Sequence, residues 1–138
     1  MKDSPDIDAL SIKTDIHQTT IFYLQQEIID LVFLNVIDNA IKYRKWNATD
    51  SRLMITIEAD TEKALLTFAD NGVGVTANND QNIFDMFYRE GRKDGISGTV
   101  LGLYIVKVSL QKINGTIKFQ NNPDEGATFV IEIPNMLH

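Results

Sequence analysis

Two periods run along the chain. The longest segment on the helical period centres on Leu31-Val-Phe-Leu-Asn-Val-Ile-Asp-Asn-Ala-Ile-Lys-Tyr43. Its first half is apolar all round, because Ile28, Ile29, Leu31, Val32 and Phe33 cover every direction at helical spacing, which predicts burial. In its second half Phe33, Val36, Ile37, Ala40 and Ile41 keep one apolar face, while Asn35, Asn39 and Lys42 line the opposite one. This helix is expected to start near Leu24, after the β-prone Thr19-Thr-Ile-Phe-Tyr23. It should end around residues 44–46, where Asn47-Ala-Thr-Asp-Ser51 offers turn chemistry. Leu103, Val106, Leu110 and Ile113 predict a second helix, stopped by Asn114-Gly115.

The other period is two. Leu53, Ile55 and Ile57 alternate with Met54, Thr56 and Glu58, and Ala64-Leu-Leu-Thr-Phe-Ala69 follows as a second strand across the turn Asp60-Thr-Glu-Lys63. Thr116-Ile-Lys-Phe-Gln120 and Thr128-Phe-Val-Ile-Glu-Ile133 close the chain as two more, joined by a turn over residues 121–126. A polar lead-in with Ile7, Leu10, Ile12 and Ile16 predicts a strand before the first helix. These elements add up to an α/β two-layer sandwich, a mixed and mainly antiparallel sheet covered on one face by helices.

Length and composition narrow this. A chain of 138 residues, 43% hydrophobic, is one domain with enough apolar side chains for a core. A net charge of −6 argues against electrostatic binding of nucleic acid. Without cysteine there is neither a disulfide framework nor thiolate chemistry. No run is long enough to span a bilayer, and Met1-Lys-Asp-Ser-Pro5 lacks the apolar core of a signal peptide.

Three places carry candidate chemistry. Asparagine is a poor helix former, so Asn35 and Asn39 within a helix call for a reason. The stripe is either a solvated face or a ligand face, where amide oxygens suit a hard cation and Lys42 a phosphate. Asp70-Asn-Gly-Val-Gly74 reads as a hairpin turn or as a strand-end carboxylate beside glycines that let a flat ligand approach. Gly98-Thr-Val-Leu-Gly102 reads as a flexible loop with a cap, or as a helix start whose free N–H groups suit phosphate. Between the last two lie a polar stretch at residues 76–82, the aromatic segment Ile83-Phe-Asp-Met-Phe-Tyr-Arg89, and a charged, glycine-rich loop at residues 90–98 that is expected to be mobile.

Taken in order, these features resemble the catalytic, ATP-binding domain of sensor histidine kinases. That family sits within the wider Bergerat-fold superfamily of gyrase, heat-shock-chaperone and mismatch-repair ATPases. Asn35-Val-Ile-Asp-Asn-Ala-Ile-Lys-Tyr43 is similar to its N box, and Asp70-Asn-Gly-Val-Gly74 to its first glycine box. Residues 83–89 resemble its F box, and Gly98-Thr-Val-Leu-Gly-Leu-Tyr-Ile-Val-Lys107 its second glycine box. Gly126-Ala-Thr-Phe129 resembles the small glycine motif before the last strand. The resemblance covers about residues 21–134 and implies ATP and Mg²⁺ as cofactors, with the loop at 90–98 as an ATP lid. It implies Asn39 as the Mg²⁺ ligand supported by Asn35, Lys42 and Tyr43 at the phosphates, and Asp70 at the adenine amino group. Gly72 and Gly74 would shape the base pocket and Arg89 would reach the γ-phosphate. Gly98, Thr99, Leu101, Gly102 and Leu103 would supply or flank the phosphate amides, with Thr128 at the last motif.

The pattern departs at Val100, where the family has glycine. The resemblance implies phosphoryl transfer to a histidine on separate dimerisation helices, a homodimeric parent, a response regulator downstream and a cytoplasmic domain, with membrane anchoring of the parent left open. Neither His17 nor His138 has the acidic neighbour of a phosphoacceptor, so the chain reads as a catalytic domain without its acceptor helices. Three other readings share the fold. A degenerate docking module would owe its weak ATP binding to Val100, and an anti-sigma-type Ser/Thr kinase would need no dimerisation helices. A hydrolytic ATPase of the gyrase type would have Glu where this chain has Asn35, which cannot take a proton.

Overall fold

The alternation in Leu53-Met-Ile-Thr-Ile57 becomes a strand because it puts Leu53 and Ile55 on a buried face and Met54 on an exposed one. The structure is a computed structural model that describes residues 10–42, 50–72, 98–122 and 126–136. In order these form β1 (Ser11–Gln18), α1 (Gln26–Lys42), β2 (Arg52–Ala59), β3 (Lys63–Asp70), α2 (Gly98–Gln111), β4 (Thr116–Asn122) and β5 (Gly126–Pro134). The five strands make one sheet in the order β1-β2-β3-β5-β4. β1 pairs with β2 in parallel across α1, and the other three pairings are antiparallel. The sheet is thus mixed and mainly antiparallel, as the alternating segments predict.

The core lies between one sheet face and the helices. Leu66 and Phe68 of β3 with Phe129, Ile131 and Ile133 of β5 present the sheet side, and Val32, Val36, Val106 and Leu110 the helix side. The rings of Phe33 and Phe68 meet edge to face with centroids 5.2 Å apart, which ties α1 to the middle of the sheet. α2 stops as Asn114-Gly115 predicts. Asn114 takes φ 62°, Gly115 N–H donates to Leu110 O at 2.7 Å, and Asn114 N–H to Gln111 O at 3.1 Å, a Schellman end that turns the chain into β4.

Several expectations change. The first half of α1 is not wrapped in protein: Ile28, Ile29, Leu31 and Phe33 are half-buried and Leu34 is 70% exposed. In a two-layer sandwich a helix has only one sheet to pack on, so an all-round apolar helix keeps an open flank. Ile12 and Ile16 lie exposed on β1, an edge strand whose eight residues are all exposed. α2 starts at Gly98, so of the two readings of the second glycine motif the helix start holds and the flexible loop does not. β5 starts at Gly126 rather than Thr128, which shortens the predicted turn. The predicted end of α1 at 44–46, the aromatic segment at 83–89 and the loop at 90–97 lie outside the described residues.

Candidate functional site

At the end of the sheet where β3 finishes, Asp70 is the last residue on the core-facing side. The step to Asn71 takes the chain out of the strand. Asp70 Oδ1 accepts the Gly72 N–H at 2.8 Å, closing an Asx turn, and the Ala127 N–H of β5 at 3.2 Å. Burial raises its carboxyl above the usual carboxylate range, and the two N–H bonds pull the other way. Oδ2 has no hydrogen-bond partner among the described residues, so a preoriented acceptor is left over.

That acceptor is held by its neighbours. Asn71 Oδ1 accepts the Arg52 N–H at 2.7 Å and its Nδ2 donates to Asp50 O at 3.0 Å, which braces the end of β3 on the start of β2. Gly126, at φ +112°, starts β5 beside Asp70. A Cβ there would overlap the Asp70 carbonyl oxygen, so only glycine lets β5 come close enough for Ala127 to bond the carboxylate. The bond from Ala127 was not legible in the sequence. Its only signal was a small-residue pair, Gly126-Ala127, opening the last strand.

On α1 the asparagine stripe divides. Asn39 is 2% exposed, and its Oδ1 is buried without a hydrogen-bond partner. An orphaned buried acceptor costs about 1–3 kcal/mol, so its persistence asks for a ligand. An amide oxygen in that state fits a hard cation such as Mg²⁺, which takes few protein ligands and keeps other oxygens for phosphate or water. Among the described residues no three His, Cys, Asp or Glu side chains gather into a metal cluster. Asn35, one turn earlier, is half-buried and donates its Nδ2 to Leu31 O at 2.8 Å, with its Oδ1 against Gly102 of α2. The solvated-face reading of the stripe therefore does not hold for Asn39.

The second glycine motif opens α2 at the same end of the molecule. The N–H groups of Gly98, Thr99, Val100 and Leu101 are the four that a helix leaves without internal partners. Val100 has helical backbone, and Asn114 is the one non-glycine residue at positive φ among the described residues, so Val100 carries no left-handed strain. Leu103 is buried, Gly72 is buried and Thr128 is half-buried in β5 beside Ala127. Lys42 closes α1. Tyr43, Gly74 and Arg89 lie outside the described residues. The structure thus brings Asn39, Asp70, Gly72 and the first turn of α2 to one end of the sheet.

Residues 25–136 match the model of the family described as histidine kinase-, DNA gyrase B-, and HSP90-like ATPase. The chain is 33% identical over 108 residues to the sensor protein SrrB of Staphylococcus aureus (strain NCTC 8325 / PS 47), a match covering 77% of this chain and 18% of that protein. Among solved structures it resembles the mycobacterial sensor histidine kinase MprB at 25% identity with a TM-score of 0.72, over 90% of this chain and 84% of that one. It also resembles the Acinetobacter baumannii histidine kinase AdeS at 25% identity with a TM-score of 0.73, over 96% of this chain and 58% of that one. The chain spans less than a fifth of the length of the curated relative it matches. No helix among the described residues is long and apolar enough to cross a membrane.

Proposed function

We propose that this chain, which belongs to the histidine kinase-, DNA gyrase B- and HSP90-like ATPase family, binds Mg-ATP and donates the γ-phosphoryl group to a histidine on partner dimerisation helices. The observation that carries the reading is a pair of acceptors at one end of the sheet: the orphaned Oδ1 of buried Asn39 and the Oδ2 of Asp70, which has no partner among the described residues. Asp70 is acceptor-only when ionised, and so takes the amino hydrogens of adenine. Asn39 has the hard oxygen a divalent cation needs. Mg²⁺, when bound, supplies charge neutralisation at the phosphates.

The first-turn N–H groups of α2 direct donors at phosphate oxygens, and Lys42 and Arg89 are the cations the motifs assign to the phosphates. In the transfer the bond from the γ-phosphorus to the bridging oxygen breaks and one to an imidazole nitrogen forms, with ADP leaving. This chemistry needs alignment and charge more than covalent help from the protein. Asn35 cannot accept a proton from water, so transfer to the histidine is favoured over hydrolysis. Helical backbone at Val100 takes strained backbone away from the degenerate-module reading. A cytoplasmic domain acting on a response regulator through its kinase's acceptor helices completes the proposal.

The test is ATP-analogue affinity of the wild type, Asp70→Ala and Asn39→Ala, with and without Mg²⁺. Loss of a buried ligand acceptor should weaken binding by about 1.5–3 kcal/mol, tenfold or more. The Asn39→Ala loss should appear only when Mg²⁺ is present. Unchanged affinity in both variants would overturn the site.

A further inference from the structure

Asn35 and Gly102 meet across the two helices, and the contact fixes more than their own packing. Asn35 Nδ2 donates to Leu31 O at 2.8 Å, which orients the amide and leaves Oδ1 facing α2. A Cβ on Gly102 would overlap that Oδ1 and lie 3.3 Å from Cγ, so the absence of a side chain there is what lets the amide fit. Gly102 is the fifth residue of α2, where the N–H already belongs to the helix ladder. A glycine inside a helix is less favourable than alanine, and the Asn35 amide is the neighbour that requires it here.

The helices run in opposite directions. Asn135, beside the last residue of β5, holds Tyr23 near the start of α1, so α1 runs from that corner toward the Asp70 end. α2 runs back and enters β4 at Thr116, which pairs with Glu132 near the same corner. One turn from Asn35 is Asn39, and one turn from Gly102, in the same direction along the sheet, is Gly98. The Asn35–Gly102 contact therefore lies one helical turn from Asn39 on α1 and one turn from the first-turn N–H groups of α2.

We propose that Asn35 is a positioning residue rather than a ligand: its amide is the spacer that seats Gly102, and so the first turn of α2, opposite Asn39. This rests on the nucleotide reading above, since it is the ATP site whose width the spacer sets. A larger residue at 102 should push α2 away from α1, and cutting back Asn35 should make room for it.

Four proteins test this: wild type, Asn35→Ala, Gly102→Ala and the double variant. Two quantities are read on each, ATP-analogue Kd per folded molecule with Mg²⁺ and the urea midpoint. Gly102→Ala should weaken the analogue about tenfold in the wild type, and about threefold or less once Asn35 is alanine. A contact that only supported stability would shift the midpoint and leave the Kd of folded molecules unchanged, which would overturn positioning. Equal costs of Gly102→Ala in both backgrounds would overturn it too, because independent sites add. Should Gly102→Ala fail to fold while the double variant folds, the amide is the obstacle, and positioning then stands only if the Kd per folded molecule of Asn35→Ala differs from that of the wild type. Should both fail, Asn35 does not set the space and the proposal falls. A wild type that binds no analogue would overturn the nucleotide reading and the spacer's role together, whereas additive effects in a wild type that binds overturn only the spacer.

Discussion

Two asparagines, each almost fully buried, sit at opposite ends of β3 and are treated in opposite ways. Asn135, 4% exposed just past β5, has its side chain fully engaged. Its Oδ1 accepts the Tyr23 N–H at 3.1 Å, and its Nδ2 donates to Thr61 O at 3.2 Å and to Ile21 O at 3.4 Å. Its backbone N–H goes to Glu62 O at 2.8 Å. One residue therefore fastens the approach to α1, the β2–β3 turn and the end of β5. Asn39, 2% exposed, keeps an oxygen with no partner. The first corner is finished by the protein's own groups, and the second keeps an acceptor that the fold does not satisfy. A buried polar group that the fold satisfies is structural, and one that it leaves open calls for a reason, which the proposal above supplies as a bound cation.

The comparison breaks most severely at Gly126. Gly126→Ala puts a side chain at φ +112° against the Asp70 carbonyl, so the unfolding free energy should fall by about 4 kcal/mol. Nucleotide affinity should drop with it, because β5 can no longer bring Ala127 to the carboxylate. Calorimetry and analogue titration on one preparation read both, and an intact Tm would refute the close approach.

At the finished corner Asn135→Ala should cost about 3 kcal/mol, since the Tyr23 N–H and the Ile21 and Thr61 carbonyls all lose this partner. The folded variant should still bind ATP analogue with wild-type affinity. Weakened binding at saturating folded protein would show that the two ends are coupled rather than separate.

Asn39→Leu supplies the contrast. It removes an unsatisfied acceptor and keeps the volume, so apo stability should stay within about 1 kcal/mol of the wild type. The Mg²⁺ enhancement of nucleotide binding should vanish. A variant destabilised as much as Asn135→Ala would mean that Asn39 is structural after all.

The smallest effect is a pH slope. The Asp70 carboxyl is raised by burial, so in the acidic range the folded state binds more protons than the unfolded one, and Asp70 makes stability fall as pH climbs from the ordinary carboxylate value through the raised one. Asp70→Asn can still accept the Gly72 and Ala127 N–H groups, and should flatten that slope and raise apo stability above it. Urea midpoints across the acidic range check this. An unchanged slope in the variant would show that burial does not penalise the charge.

The sequence by itself determined which segments become strands and helices, because period two and helical spacing are local properties of neighbouring side chains. It marked Asn114-Gly115 as a helix stop, and the left-handed Asn114 follows from short-range sterics alone. It also marked Asn39, Asp70 and the second glycine motif as candidates, since amides within a helix and glycines beside a carboxylate are locally costly. Only the tertiary structure decided what each one faces. Asn35 and Asn39 look alike on a helical stripe, yet one lies against Gly102 and the other is buried with an oxygen to spare. Periodicity reports a direction around one helix and says nothing of the second helix that meets it. Ala127 reaches Asp70 across 57 residues of sequence, and Asn135 reaches Tyr23 across 112. The first forms because the register of β3 on β5 brings distant backbone together, and register is set by the whole set of pairings rather than by either partner; the second forms where the end of β5 meets the chain entering α1.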